Sequence, residues 1–223
     1  MSLVFEVDPS RPSEADQAIQ AAGEALEAGG LVVFPTETVY GIASRPDDEK
    51  ATARLFEAKR RPLGLNLPVL ASSPPEALEL VSASVAARRL AAAFWPGPLT
   101  MVLPRGAPSR GWSLGEATAT LGVRVPDHAI SLALLKRSGP LAATSANISG
   151  IPPLSERAAL RQAFGEAVAV YVMIPPGMEI DAGRSSTVVD LTGRELRVLR
   201  EGPIDAARLL AVANPRPDAH SVH

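Results

Sequence analysis

A short, entirely apolar segment constrains the fold more than any other feature of this sequence. The run Leu31–Phe34 lies between a glycine pair and Pro35, so turn residues bound it on both sides. Such a run is typical of a strand covered on both faces, because a strand with one wet face alternates apolar and polar residues. Upstream, apolar residues recur at helical spacing from Ala15 to Leu26, in a helix that we expect Ser13 to cap. The two patterns together predict an α/β fold.

The same alternation of strand and helix patterns continues along the chain. Further strands are predicted at Leu67–Ala71, Leu99–Leu103, Gly122–Val125, Leu141–Ala143, Ala167–Val172, Thr187–Leu191 and Leu196–Leu199, and further helices at Lys50–Lys59, Val85–Phe94, His128–Arg137, Glu156–Phe164 and Ile204–Ala213. A chain of 223 residues, 46% of them hydrophobic, can bury a substantial core. We therefore expect one α/β domain over residues 1–213, followed by a flexible, proline-rich tail over 214–223.

Composition excludes several kinds of chemistry. The sequence has no cysteine, so a disulfide framework, a thiolate zinc site and a cysteine nucleophile are impossible. The formal net charge of -2 argues against a strong non-specific grip on nucleic acid, although a local basic patch is compatible with it. The sequence contains no phosphate-loop, dinucleotide-binding, zincin or nucleophile-elbow motif. Without a secretory signal or membrane-length apolar run, we expect a cytoplasmic protein with no membrane contact.

Polar segments follow several predicted strands and helices, where sites form in open α/β sheets. The segment 35–41 places two hydroxyls, a carboxylate and a phenol after the first strand. The alternative is an ordinary turn in which these hydroxyls bond locally to the backbone. The segment Lys59–Pro62 offers three cations suited to a triphosphate, or else a solvated basic helix end.

Two later segments have the same character. Arg124 interrupts an apolar strand and needs an anionic partner if it points inward, which a carboxylate-bearing ligand would supply. Period-two alternation is equally compatible with Arg124 on a solvated face. Residues 143–150 combine small residues with hydroxyls and an amide, which suits either close approach to a ligand or a plain loop. His128 is expected to open a helix, so a histidine-dependent triad is not indicated.

In order along the chain, these segments resemble the Sua5/YciO/YrdC family, and the resemblance spans roughly residues 13–205. Its motifs are PTETVYG (35–41), KxRP (59–62), WPGPLT (95–100), VRVP (123–126), TSANISG (144–150) and STVVD (186–190). The resemblance implies a twisted mixed sheet with flanking helices around a concave, positively charged cavity. It also implies a short-form threonylcarbamoyl-AMP synthase that joins L-threonine, bicarbonate or CO2, and ATP with Mg²⁺, and releases pyrophosphate.

The family's role lies in modifying adenosine 37 of transfer RNA to t6A, so a downstream transfer machinery and possible contact with tRNA or double-stranded RNA are implied partners. Matching motifs assign the threonine to Thr36, Arg124, Ala146 and Ser186. They assign ATP to Lys59, Arg61, Thr120, Thr144, Ser145, Asn147 and Arg200. Lys59 and Arg61 are the implied catalytic residues, through charge neutralisation on the phosphates. No metal ligand is expected from protein side chains.

The sequence departs from the family pattern in one loop. Arg60 stands where family members commonly have glycine, and residues 63–68 lack the usual continuation to a Pro-Leu pair. Two alternatives therefore stay open. Besides the synthase, the chain could be a divergent member that binds nucleotide, tRNA or double-stranded RNA without this synthesis, or a carbamoyl-transfer domain of the kind found in longer multidomain proteins.

Overall fold

The computed structural model describes residues 2–8, 11–175, 178 and 184–214. Within them the strands are β1 (Leu3–Glu6), β2 (Leu31–Phe34), β3 (Gly41–Ser44), β4 (Val69–Leu70), β5 (Leu99–Pro104), β6 (Thr120–Arg124), β7 (Leu141–Ser145), β8 (Val168–Met173), β9 (Thr187–Asp190) and β10 (Arg197–Arg200). The α-helices are α1 (Pro12–Glu27), α2 (Glu49–Ala58), α3 (Pro74–Glu79), α4 (Val85–Phe94), α5 (Ala129–Ser138), α6 (Arg157–Phe164) and α7 (Ala206–Ala213). None of the helices described has the length and apolar character needed to cross a membrane. The predicted tail from residue 215 onward, with His220 and His223, lies outside the described residues.

The strands of the described residues form one mixed sheet, in the order β1-β8-β2-β3-β7-β4-β6-β5-β9-β10. β2 is parallel to β8 and antiparallel to β3, and β7 pairs antiparallel with β3. On the other side, β6 lies between its parallel partner β4 and its antiparallel partner β5. β5 pairs in parallel with β9, which carries β10 at the edge. The mixed α/β sheet confirms the predicted fold class.

Both faces of β2 are covered, as its apolar run predicts. Leu31 and Val33 belong to one core cluster with residues of α2 and α4, whereas Val32 and Phe34 belong to a second cluster with residues of α1 and α5. Successive side chains of a strand point to opposite faces, so this division places helices on both sides of β2. All four residues of β2 are buried in consequence.

Every predicted strand and helix is present, with ends that differ from the prediction by no more than two residues. His128 is the N-cap residue of α5, as expected. The prediction that Ser13 caps α1 is wrong, because the helix begins at Pro12 and Arg11 is its N-cap residue. Proline suits the first helical position, since its fixed φ is helical and no N–H group is lost there. The strands β1 and β3 and the helix α3 lack a counterpart among the predictions.

Candidate functional site

A cavity of about 350 Å³ is lined by the turn after β2, the loop after α2 and residues of the strands β3, β4, β5, β6, β7, β9 and β10. Most of the predicted site residues line it: Thr36, Arg61, Thr120, Arg124, Thr144, Ser145, Ser186 and Arg200. Lys59, Ala146 and Asn147 are buried and do not line it. Motifs that lie far apart in the sequence therefore meet around one cavity.

The turn after β2 is fixed by its own hydroxyl groups. Thr36 donates from Oγ1 to the carbonyl oxygen of Val39 at 2.6 Å, and this Oγ1 accepts from the backbone N–H groups of Thr38 and Val39, each at 3.2 Å. The hydroxyl oxygens of Thr36 and Thr38 lie 3.0 Å apart. These are the local hydrogen bonds that an ordinary turn would make, yet Thr36 and Val39 also line the cavity. The turn is both a rigid element and part of the cavity wall.

Arg124, on β6, turns its side chain inward, and only 8% of that side chain is exposed. Its Nη2 donates to Glu37 Oε1 at 2.7 Å and to Thr38 Oγ1 at 3.0 Å, and its Nε donates to the Gly97 carbonyl oxygen at 3.1 Å. The alternative of a solvated Arg124 is therefore wrong. Its Nη1 makes no hydrogen bond to any described residue, and Arg124 lines the cavity, so Nη1 is available to a ligand.

The WPGPLT segment, which leads into β5, helps to fix the position of Arg124. Gly97 donates its N–H to the Val125 carbonyl oxygen at 2.8 Å and offers its own carbonyl oxygen to Arg124. A Cβ atom at this position would lie 2.5 Å from the Phe94 carbonyl oxygen, which is too close for any residue but glycine. The glycine of this motif thus permits the backbone contact that holds Arg124 Nε.

Lys59 is the C-cap residue of α2 and is only 1% exposed. Its Nζ donates to the backbone carbonyl oxygens of Ser145 and Asn147. Burial, and secondarily the positive charge of Arg61, lower the pKa of Lys59 to about 7. The alternative of a solvated lysine at a helix end is wrong, because the side chain ties α2 to the segment after β7. A contact between Lys59 and ATP phosphates stays a prediction.

Arg61 lines the cavity and closes the loop after α2. Its Nε donates to the Leu65 carbonyl oxygen at 2.6 Å, and its Nη2 donates to the Asn66 carbonyl oxygen at 2.9 Å. The preceding residue, Arg60, has a φ of 50°, in the left-handed region that favours glycine. The loop therefore adopts the backbone conformation that a glycine would provide, although an arginine occupies the position.

The segment 63–68, which departs from the family pattern, forms part of the cavity wall. Leu67 donates its N–H to the Leu114 carbonyl oxygen at 2.8 Å. The Asn66 side chain donates to the Ala117 carbonyl oxygen at 2.6 Å and accepts from the Ala117 N–H at 3.0 Å. Asn66 and Leu67 line the cavity. The only feature of the sequence that drew attention to these two residues is the departure of their segment from the family pattern.

Hydroxyl groups and a third arginine form the wall beside β9. Arg200 donates from Nε and Nη2 to the Ser186 carbonyl oxygen at 3.0 and 2.9 Å, and from Nη2 to Ser186 Oγ at 3.1 Å. Ser186 Oγ lies 2.8 Å from Thr100 Oγ1. Thr100 lines the cavity, but nothing in the sequence distinguishes it from the rest of the WPGPLT motif.

The segment after β7 is held by side-chain hydrogen bonds of a residue that does not line the cavity. Asn147 donates from Nδ2 to the carbonyl oxygens of Ile148 and Ile151 at 2.9 and 2.6 Å. Its Oδ1 is buried without a hydrogen-bond partner among the described residues. Asn147 therefore shapes the loop, whereas Thr144 and Ser145 of β7 face the cavity.

The cavity carries an excess of positive charge among its lining residues. Burial and the charge of Arg200 lower the pKa of Arg61, while burial and the charge of Arg124 lower the pKa of Arg200. Guanidinium groups stay protonated at neutral pH despite such effects. Of the residues described, no Asp or Glu lines the cavity, and no cluster of His, Asp and Glu could hold a metal ion.

These features define a class of protein: an α/β domain whose sheet bears a hydroxyl-lined cavity with three guanidinium groups, suited to a small ligand with several negative charges. The Sua5/YciO/YrdC family model, described as telomere recombination, matches residues 24–202, and the chain belongs to this family. The matched range contains every residue that lines the cavity.

Known relatives agree with this membership. A protein of Mycobacterium tuberculosis, provisionally named a threonylcarbamoyl-AMP synthase, is 43% identical over 92% of this chain and 93% of its own length. The threonylcarbamoyl-AMP synthase of Escherichia coli O6:H1 is 38% identical over 69% of this chain and 82% of its own length. The crystal structure of Pyrococcus abyssi Sua5 complexed with L-threonine matches 95% of this chain and 60% of its own, with 33% identity and a TM-score of 0.77.

Proposed function

We propose that this protein is a threonylcarbamoyl-AMP synthase, a nucleotidyltransferase that condenses L-threonine, bicarbonate or CO2, and ATP to threonylcarbamoyl-AMP and pyrophosphate. The observation that carries the proposal is the convergence of Arg61, Arg124 and Arg200 on one cavity, with Nη1 of Arg124 free for a ligand. The names of the relatives and the threonine complex of one of them support it. The product would serve t6A formation at adenosine 37 of tRNA in the cytoplasm, through a downstream transferase.

The chemistry requires positioning and charge neutralisation more than a strong base. The threonine amine adds to CO2 and loses a proton, and an oxygen of the resulting carbamate attacks the α-phosphorus of ATP as the bond to pyrophosphate breaks. Arg124 Nη1 would bind the threonine carboxylate, with Thr36 and Ser186 nearby as hydroxyl partners. Arg61 and Arg200 would neutralise the phosphates, where charge develops during in-line displacement.

Mg²⁺ would arrive with ATP as part of the substrate, since no carboxylate lines the cavity among the residues that the structure describes. Thr120, Thr144 and Ser145 would lie along the nucleotide. Ala146 and Asn147 would pack behind this part of the cavity wall. Lys59 would hold the backbone of the same segment through the carbonyl oxygens of Ser145 and Asn147. Lys59 would bind a phosphate directly only if its side chain, which is buried and does not line the cavity, moved toward the ligand.

Pyrophosphate release tests the proposal. Purified protein is mixed with MgATP and bicarbonate, with L-threonine, with L-serine or without an amino acid, and pyrophosphate is measured by a coupled enzymatic assay. We expect release that depends on threonine and bicarbonate, and a product with the mass of threonylcarbamoyl-AMP. A folded protein that binds ATP and releases no pyrophosphate with threonine would overturn the proposal.

One observation favours the second candidate, a family member that binds nucleotide or RNA without synthesis. The segment 63–68, which departs from the family pattern, lines the cavity through Asn66 and Leu67 and so alters the wall next to Arg61. Binding of tRNA or double-stranded RNA that weakens steeply with salt, in a protein without threonine-dependent turnover, would support this candidate. Turnover with threonine would exclude it.

A further inference from the structure

The three arginines of the cavity differ in their partners. Arg61 donates to the carbonyl oxygens of Leu65 and Asn66, and Arg200 donates to the carbonyl and hydroxyl oxygens of Ser186, all of which are neutral acceptors. Arg124 instead forms an ion pair with a carboxylate. Within the described part of the chain, Arg61 and Arg200 have no such partner, so their charges are uncompensated.

The carboxylate belongs to Glu37, which comes from the rigid turn after β2. Its Oε1 accepts from Arg124 Nη2 at 2.7 Å, and the side chain is 20% exposed. Its Oε2 is buried and has no hydrogen-bond partner among the described residues. Arg124 lines the cavity and Glu37 does not, so the carboxylate contacts Arg124 outside the cavity lining. The ion pair uses Nη2 of Arg124 and leaves Nη1 without a hydrogen bond to any described residue.

Pairing changes which anion each arginine attracts. A guanidinium already neutralised by a carboxylate exerts little long-range attraction on a polyphosphate, but its free N–H groups can still form a hydrogen bond to a small carboxylate. An unpaired guanidinium attracts the anion with the most charge. Specificity of this kind is a difference between two affinities, and it is obtained by weakening the wrong contact as well as by strengthening the right one.

We propose that Glu37 is a specificity-determining residue that reserves Arg124 for the amino-acid carboxylate and leaves the triphosphate to Arg61 and Arg200. The inference rests on the proposed function and adds to it a division of the cavity into a charge-paired half and an unpaired half. It predicts that neutralising Glu37 creates a third phosphate-binding arginine, so that polyphosphate enters the position of threonine.

Competition between threonine and inorganic tripolyphosphate tests this division in the absence of ATP. The dissociation constant of L-threonine is measured by titration calorimetry at rising tripolyphosphate concentrations. In wild type, the two anions occupy separate halves, so the apparent constant should level off after a rise of at most about threefold, or about 0.7 kcal/mol. The amide oxygen of Glu37→Gln can still accept from Arg124. In this variant the apparent dissociation constant of threonine should rise in proportion to the tripolyphosphate concentration, beyond about tenfold or about 1.4 kcal/mol.

Two further variants serve as controls. Glu37→Asp keeps the charge, so its apparent dissociation constant for threonine should level off as in wild type. Glu79→Gln removes a charge from the exposed surface of α3, and its apparent constant should level off too. A proportional rise in wild type overturns the inference even if Glu37→Gln does not fold. If the apparent dissociation constant of threonine levels off in folded Glu37→Gln, the inference is also overturned. A wild type that binds no threonine and releases no pyrophosphate instead contradicts the proposed function itself.

Discussion

Replacing Lys59 by methionine should change how stability depends on pH. Methionine is close to lysine in length, but it carries no charge and no hydrogen-bond donor. In the folded protein, burial holds the Lys59 pKa at about 7, against an ordinary value of 10.5. Both forms of the amine can donate to the two carbonyl oxygens, because a neutral amine still has two N–H bonds, so these bonds do not remove the effect of burial.

The sign and size follow from proton linkage. Because the folded pKa lies below the unfolded one, the unfolded chain binds more protons between these two values, and stability rises with pH in that window. The penalty for burying the charge is complete below about pH 7 and disappears above about pH 10.5. Between pH 7 and pH 9 the contribution of Lys59 to the free energy of unfolding should increase by about 2 kcal/mol.

Urea denaturation of wild type and Lys59→Met at pH 7, 8 and 9 measures this increase, because the other titrating groups cancel in the difference between the two proteins. The constant cost of leaving the carbonyl oxygens of Ser145 and Asn147 unpaired does not affect the slope. Lys50→Met, at an exposed position of the same helix, is the matched control and should run parallel to wild type. Parallel curves for Lys59→Met would refute the reasoning, since they would mean that Lys59 stays charged at no cost.

Three further changes test other parts of the structure. Arg124→Ala should raise the KM for threonine by roughly 10- to 150-fold, or about 1.5 to 3 kcal/mol, and leave the KM for ATP nearly unchanged in steady-state assays. An unchanged threonine KM would contradict its assignment. Arg60→Gly should stabilise the fold by about 0.5 to 1 kcal/mol in urea denaturation, because it relieves a left-handed conformation at some cost in chain entropy. Leu90→Ala, at a fully buried position of α4, should destabilise it by about 2 to 5 kcal/mol, and a loss under 1 kcal/mol would contradict close packing there.

The sequence predicts the regular elements of the fold wherever one period dominates. β2 is recognisable because turn residues bound a run of four apolar residues, and α4 because its apolar residues return at helical spacing. β3 escapes prediction because Ile42 is its only strong strand former, and its other three residues, Gly41, Ala43 and Ser44, are small. α3 escapes because it begins with two prolines and is only six residues long. The order of the strands depends on long-range pairing, which no local pattern encodes.

The candidate site is predictable as a set of segments and less so as a set of contacts. The motifs identify the loops that meet at the cavity, because polar and small residues there follow apolar strands. They do not reveal that Arg124 pairs with Glu37, that Lys59 is buried, or that Asn66 lines the wall. Each of these facts depends on which backbone or side chain lies opposite in space, and two positions 87 residues apart give no sign of that in a single sequence.

A common physical arrangement underlies several of these unpredicted contacts. Lys59, Arg61 and Arg105 donate mainly to backbone carbonyl oxygens, and within the described residues none of them has a carboxylate partner. Carbonyl oxygens satisfy the hydrogen bonds of a cation and fix the loops that carry them, but they do not cancel its charge. A carboxylate would have fixed the same loops and neutralised the cavity. Among the residues that the structure describes, a carboxylate lies against a cavity-lining arginine only at Arg124, so Arg61 keeps an uncompensated charge while its hydrogen bonds hold its loop.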